Sequence, residues 1–306
     1  MRTFQLVARL TGVTLGCLSA QAGILGPATG YNAFVLNNME AKWSSAGGRI
    51  AVGKNLTLSS WSIGGSLSGS TDASLVVGGN LKWTDGQLSN GSGKVGGNIN
   101  LKGVSSPNGK IEKGAPIDFD SAETQLKELS QYLDDVSANG ITQLIGNAMT
   151  LIGTNSLLNV FDVSAKDMKG LGSFSISAPM SSTILINVSG NSVNWSNFAM
   201  SYGDDRAANV LFNLTDAKSL NVSSFSIRGS VLAPEATANL KWGDIHGTVI
   251  AKNLTDESWR FDNVGFTGSV RFPAPAPSPA ETPEPGTWVM GGAGALLVGL
   301  RFRKHA

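Results

Sequence analysis

The residues able to do chemistry are few, and their types restrict what it could be. Cys17 is the one cysteine, and His246 and His305 are the two histidines. A disulfide framework needs paired cysteines, Cys/His zinc sites need several such ligands, and a Cys-His nucleophile needs a cysteine in the body. A Ser-His-Asp triad would have to use His246. The densest charged cluster of the body is Asp204-Asp205-Arg206. Asp204 and Asp205 are the candidate cation ligands, because paired carboxylates supply the oxygens that Ca²⁺ takes. The plainer reading is a solvated loop with a local Asp-Arg pair, since no EF-hand loop or Gly-Asp calcium repeat accompanies it. Asp118 and Asp120 stand before a helical pattern, where acidic groups favour the helix dipole, so capping explains them better than catalysis. No basic-and-acidic cluster marks a polysaccharide lyase. The reading is of a non-enzymatic protein without cofactor or metal.

Six tryptophans lie in the body: Trp43, Trp61, Trp83, Trp195, Trp242 and Trp259. Exposed indoles could stack on sugar rings, whereas buried ones are core. Trp83 and Trp242 each follow a Leu-Lys pair. Strand alternation puts each on the side of its leucine, so both are expected inside.

The elements that must carry these residues are repeats. Val52-Gly53-Lys54-Asn55-Leu56, Val77-Gly78-Gly79-Asn80-Leu81 and Val95-Gly96-Gly97-Asn98-Ile99 are versions of one unit. Gly229-Ser230-Val231-Leu232-Ala233 and Gly247-Thr248-Val249-Ile250-Ala251 form a second pair. Short alternating runs between them, such as Phe174–Ser177 and Ile184–Val188, read as strands. Each unit suits one coil of a stacked parallel sheet. Val and Leu/Ile point inward, glycine permits the turn, and stacked corner asparagines can form a ladder. Asn55, Asn213 and Asn253, each in an Asn-x-Ser/Thr triplet, are read as turn formers. The alternative is a β-sandwich with repeated glycine turns. One helix interrupts the pattern. Asp120 is its expected N-cap, with Glu123 three residues on. Ala122, Leu126, Leu129, Leu133 and Val136 share one face, and Asn139-Gly140 ends it. Its amphipathic character places it along the solenoid's flank.

The formal net charge is +1, from 23 Lys+Arg against 22 Asp+Glu, which gives no basic patch for nucleic acid. Charged residues make up 15%, below the roughly 25% of ordinary globular chains, as suits a turn-rich exported β fold.

Both ends read as targeting signals. Arg2 and Arg9, the apolar stretch Leu10–Leu18 and Ala20-Gln21-Ala22 have the order of a signal peptide, residues 1–22. A stiff Pro-rich linker, 273–282, follows the body. Then come Pro283-Glu284-Pro285, an apolar helix over 287–300 and the basic end Arg301, Arg303 and Lys304. Fourteen helical residues reach about 21 Å, short of the ~30 Å hydrocarbon core, so spanning requires flanking residues and snorkelling to narrow the gap. Residues 283–306 resemble the PEP-CTERM sorting and anchor segment of Gram-negative bacteria. The resemblance implies processing by an exosortase, besides signal peptidase at the other end, and membrane attachment at least until then.

The body, residues 23–272, resembles the choice-of-anchor A domain. The likeness rests on Leu25-Gly26, Tyr31–Leu36, Gly48–Gly53, Val210–Asn213, Asp216-Ala217, Gly229–Pro234 and Gly247–Lys252. Lys54 departs from the glycine of the other repeats. The resemblance implies an ice-binding-like adhesive fold: mainly β, an irregular right-handed parallel β-solenoid with one amphipathic helix alongside, flanked by signal and C-terminal membrane helices. The expected role is a cell-surface or matrix protein, adhesive and associated with polysaccharide. The alternatives are a polysaccharide-active enzyme on a β-helix and an ice-binding protein. The latter needs a sustained Thr-x-Thr ladder, which the sequence lacks.

Overall fold

A computed structural model describes residues 23–270, apart from 69–72 and 115. The signal segment 1–22, the linker 273–282, Pro283, Glu284 and Pro285, the helix 287–300 and the basic end Arg301, Arg303 and Lys304 lie outside the described residues.

The repeats build the first coils. β1 (Tyr31–Val35) and β2 (Met39–Ala46) make one coil, and β3 (Arg49–Val52) and β4 (Leu56–Ile63) the next. β5 (Ala73–Val77) with β6 (Leu81–Leu88), then β7 (Ser92–Val95) with β8 (Ile99–Ser105), continue the stack, and β9 (Ile111–Lys113) begins another turn. The repeated residues meet in register: Val52 on Val77 on Val95, and Leu56 on Leu81 on Ile99. Neighbouring strands of this sheet are parallel, so the coils stack as a solenoid and the sandwich is excluded. At the corner between the two strands of each coil, asparagines form the expected ladder. Asn55 Nδ2 donates to Asn38 Oδ1 at 3.1 Å and Asn80 Nδ2 to Asn55 Oδ1 at 2.9 Å. Asn98 N reaches Asn80 Oδ1 at 2.8 Å, and Asn253 Oδ1 accepts from Asn38 N at 3.3 Å. Lys54 keeps the turn despite its side chain: its N–H bonds Asn37 O and its carbonyl accepts from Gly79 N, both at 2.8 Å.

Helix α1 (Phe119–Asp134) follows, and its cap corrects the expectation. Asp118 is the N-cap, its carboxylate accepting from Ser121 N at 3.1 Å, while Asp120 lies in the first turn. The helix also stops at Asp134, short of Asn139-Gly140. Asn139 instead pins the next segment, accepting from Val160 N at 2.8 Å and donating to Leu158 O at 3.0 Å.

The remaining elements are β10 (Ile141–Ile145), β11 (Ala148–Ile152), β12 (Leu158–Ser164), α2 (Ala165–Met168), β13 (Ser173–Ser177), β14 (Thr183–Ser189), β15 (Ser192–Ser196) and β16 (Ala199–Met200). α3 (Asp204–Ala207), β17 (Val210–Asn213), β18 (Ser219–Ser223), β19 (Ser226–Arg228), β20 (Ser230–His246) and β21 (Val249–Phe261) complete the body. β10 and β11 pair antiparallel in a small second sheet with β13 and β16. Along the helix-facing side the stack runs β12, β14, β17, β20, β21, β1, β3, β5, β7, β9. The chain therefore starts in mid-stack and winds out to β9. α1 carries it towards the other end, and it winds back until the last coil meets the first.

Two apolar layers hold this arrangement. Inside the coils are residues such as Trp61, Trp83, Trp195, Phe212 and Trp259. Between the solenoid and α1 lie Ala122, Leu126, Leu129 and Leu133 of the helix against outward residues such as Phe34, Leu185, Leu232 and Ile250. Both layers are apolar because each strand here is covered on its two faces, which explains continuous runs such as Thr183–Val188 where alternation would fail.

Candidate functional site

The side of the solenoid made by β2, β4, β6 and β8 continues through the second halves of β21 and β20 into β18 and β15. Pairing aligns its outward residues in rows across the coils. One row is Asn194, Asn221, Asn239, Thr255, Glu40, Thr57, Lys82 and Asn100. The first four are joined: Asn221 donates to Asn194 at 3.0 Å, Asn239 to Asn221 at 2.9 Å and Thr255 to Asn239 at 2.7 Å. Two residues further along each strand runs a second row: Ser196, Ser223, Lys241, Glu257, Lys42, Ser59, Thr84 and Lys102. Glu257 there bridges Lys241 at 3.4 Å and Lys42 at 3.6 Å. A shallow depression of about 460 Å³ lies between Asn221, Asn239 and Lys241 on one side and Glu40 and Lys42 on the other.

Behind this depression sits a carboxylate that sequence reasoning missed. Asp256 is 3% exposed. It accepts from Trp61 Nε1 at 2.8 Å and from Trp259 N at 2.7 Å. Burial pushes its pKa up to about 7; the charge of Glu257 adds to the rise, and the two donors hold it back. Alternation signals the position, since Asp256 falls on the inward side of β21, aligned with Ala41 and Leu240.

After the second row the backbone turns a left-handed corner in coil after coil. Asn197, Ser224, Trp242, Ser258, Trp43, Ser60, Asp85 and Gly103 all have positive φ, between 50° and 64°. Their flanking pairs place them in one column parallel to the stack. This column corrects the expectation for Trp242 and decides the place of Trp43. Trp61, Trp83, Trp195 and Trp259 are buried as core residues, but Trp43 is 58% and Trp242 is 59% exposed. The two Leu-Lys-Trp segments are out of step by two residues. Leu240, the counterpart of Trp83 across the stack, faces inward, and Trp242 falls on the corner itself, where Asp85 stands in its coil.

Asp204 and Asp205 do not converge. Asp204 pairs with Arg228 and lies 3.7 Å from His246 Nδ1, whereas Asp205 accepts from Arg206 N at 3.0 Å. Arg206 is buried and donates to Ala178 O at 2.7 Å, so the expected local Asp-Arg ion pair gives way to a carbonyl anchor. His246 instead faces Asp262 at 3.3 Å and Asp244 at 3.8 Å with Nε2. Arg260 binds both of those carboxylates, at 2.8 Å and 3.0 Å, and Ser226 donates to Asp244. The cluster is therefore a network of compensated charges.

Residues 24–263 match the family model described as "Putative Ice-binding-like adhesive domain". The chain belongs to that family. Three solved structures align with most of the chain. An ice-binding protein from the Antarctic ascomycete Antarctomyces psychrotrophicus aligns at 14% identity with TM-score 0.41, covering 80% of this chain and 98% of that one. An ice-binding protein from an Antarctic biological consortium aligns at 15% identity with TM-score 0.31, covering 84% and 96%. A glycosylated ice-binding protein from an Arctic yeast aligns at 12% identity with TM-score 0.31, covering 85% and 99%. No curated protein sequence matches the chain at a significant level. Among the described residues no helix is long and apolar enough to cross a membrane.

Proposed function

We propose that this chain is an exported, non-enzymatic adhesive protein that associates with polysaccharide at the cell surface or in the extracellular matrix. The supporting observation is the long face on which stacked coils present rows of Asn, Ser, Thr, Lys and Glu. Each rung advances about 4.8 Å. A repetitive polymer can therefore meet repeated hydrogen-bonding groups, so that many weak contacts add up. In this reading the chain is a choice-of-anchor A protein. Residues 1–22 direct export, and Pro283, Glu284 and Pro285 form a PEP-CTERM signal read by an exosortase. Helix 287–300 and Arg301, Arg303 and Lys304 hold the protein at a Gram-negative membrane until processing. Co-sedimentation of the purified protein with its host's exopolysaccharide tests the adhesive part, which fails if the protein stays in the supernatant. Mass spectrometry of the mature protein tests the sorting part, which fails if a peptide running through Arg301 to Lys304 persists.

The family description raises ice as a second ligand. The face carries Glu40, Lys42, Lys82, Lys241 and Glu257 among its amides and hydroxyls, and charged groups organise their own hydration in place of an ice-like layer. Thermal hysteresis above that of buffer would reverse this preference.

A further inference from the structure

The left-handed column holds two residues that conformational preference disfavours. Ser, Asn, Asp and Gly occupy its other positions. Asn, Asp and Gly are the usual occupants of positive φ, and serine is small. Trp43 at φ 60° and Trp242 at φ 55° are bulky, and for bulky side chains this conformation is an outlier. Packing does not offset the strain, because both indoles are more than half exposed. Strain held without burial points to function.

The placement of the pair suggests a ligand. Trp242 and Trp43 are separated in the column by one coil, whose corner carries Ser258. At about 4.8 Å per coil their backbones stand roughly 9.6 Å apart along the solenoid axis. That is comparable with a two-sugar repeat of an extended glycan, so the two indoles would meet alternate rings. An indole face suits the C–H face of a pyranose ring, and polar groups beside it suit the hydroxyls. Such groups are present: Lys42 Nζ sits over the Trp43 ring at 4.5 Å from its centroid, Lys241 Nζ over the Trp242 ring at 5.9 Å, and Glu257 bridges both lysines. A lipid or protein partner would need a continuous apolar patch, whereas here two indoles are set among charges.

We propose that Trp43 and Trp242 form a two-point stacking ledge for the pyranose rings of a polysaccharide lying along the solenoid axis, with Lys42, Glu257 and Lys241 meeting its hydroxyls. The inference rests on the polysaccharide reading above and assigns its contact residues. The full chain is run by affinity electrophoresis in gels containing hydroxyethylcellulose, polygalacturonate or the host's exopolysaccharide. Trp43→Gly, Trp242→Gly and the double variant run beside it. Glycine accepts positive φ freely, so the melting temperature should stay level or rise. Each single variant should weaken retardation about fivefold, and the double variant should lose it. If the native protein is retarded and the double variant equally so, the ledge is wrong while the polysaccharide reading stands. If none of the gels retards the native protein, the polysaccharide reading fails and the ledge with it. Variants that melt well below the native protein would show the indoles to be structural, which also overturns the proposal.

Discussion

Asp256 makes the interior of the solenoid sensitive to pH. Its pKa is raised to about 7 in the folded protein from 3.8, so the native state holds a proton that the unfolded chain has released between those values. Where the native state binds more protons, stability falls as pH rises. Unfolding free energy should therefore decline by about 2–4 kcal/mol between pH 4 and pH 7 and level off above it. Thermal melts should show a lower midpoint at pH 8 than at pH 5, and Asp256→Asn should shrink the difference. An undiminished difference in the variant would assign it to other groups. A second position tests how tightly the corners pack. A Cβ on Gly243 would come 2.0 Å from Phe225 O and 2.5 Å from the Trp259 ring, whereas one on Gly65 would meet nothing within 4 Å. Gly243→Ala should cost about 2–4 kcal/mol in denaturant melts, with Gly65→Ala near neutral.

At the scale of elements, α1 is fixed to the solenoid by both apolar and polar contacts. Asn213 Nδ2 donates to Ser130 O at 2.9 Å, and its Oδ1 accepts from Ser130 Oγ at 2.6 Å. Asn187, its neighbour across β14 and β17, donates to Leu133 O at 2.9 Å. These bonds set the helix's position along its axis, which interdigitating leucines specify less sharply. Leu133→Ala should cost about 2–5 kcal/mol by opening a cavity. Asn213→Leu should cost a similar amount, because Ser130 and the Asn187 amide oxygen would each lose buried hydrogen bonds to it. Parallel denaturant melts compare the two; a near-neutral Asn213→Leu would show that apolar packing alone places the helix. The helix face was legible in the spacing of its leucines, since that period survives any tertiary context. The cap was misplaced because Asp118 and Asp120 are chemically equal candidates and backbone geometry decides between them. The asparagine ladder was legible for the same reason as the repeats, a recurring position in a recurring unit. Trp43 and Trp242 were not, because one left-handed residue resets the inward-outward alternation and leaves no mark in composition. Asn213 read as a turn former for a similar reason: only the stacking of α1 over β17 makes it buried.

The winding order of the whole molecule was equally hidden from the sequence. Motifs identify coils, but nothing local tells the first coil that its partner is the last. Ala33 pairs with Val249 and Phe34 with Ile250, contacts that span most of the body. Such pairings close long loops and slow folding. Once formed, they put β21 between β20 and β1, with coils stacked on both sides. β8 and β9 occupy an end of the stack, and most residues of both are exposed. In a stacked array each coil is held by its neighbours, so an end coil has half the support of a central one. Native-state hydrogen exchange should therefore show amides of Ile99–Ser105 and Ile111–Lys113 opening at lower free energy than those of Val249–Phe261. The central amides should exchange only through global unfolding, their opening energy matching that from denaturant melts. Earliest exchange from β21 would mean that the junction of first and last coils is the weak seam of the solenoid, and the order of stability argued from the stack would be reversed.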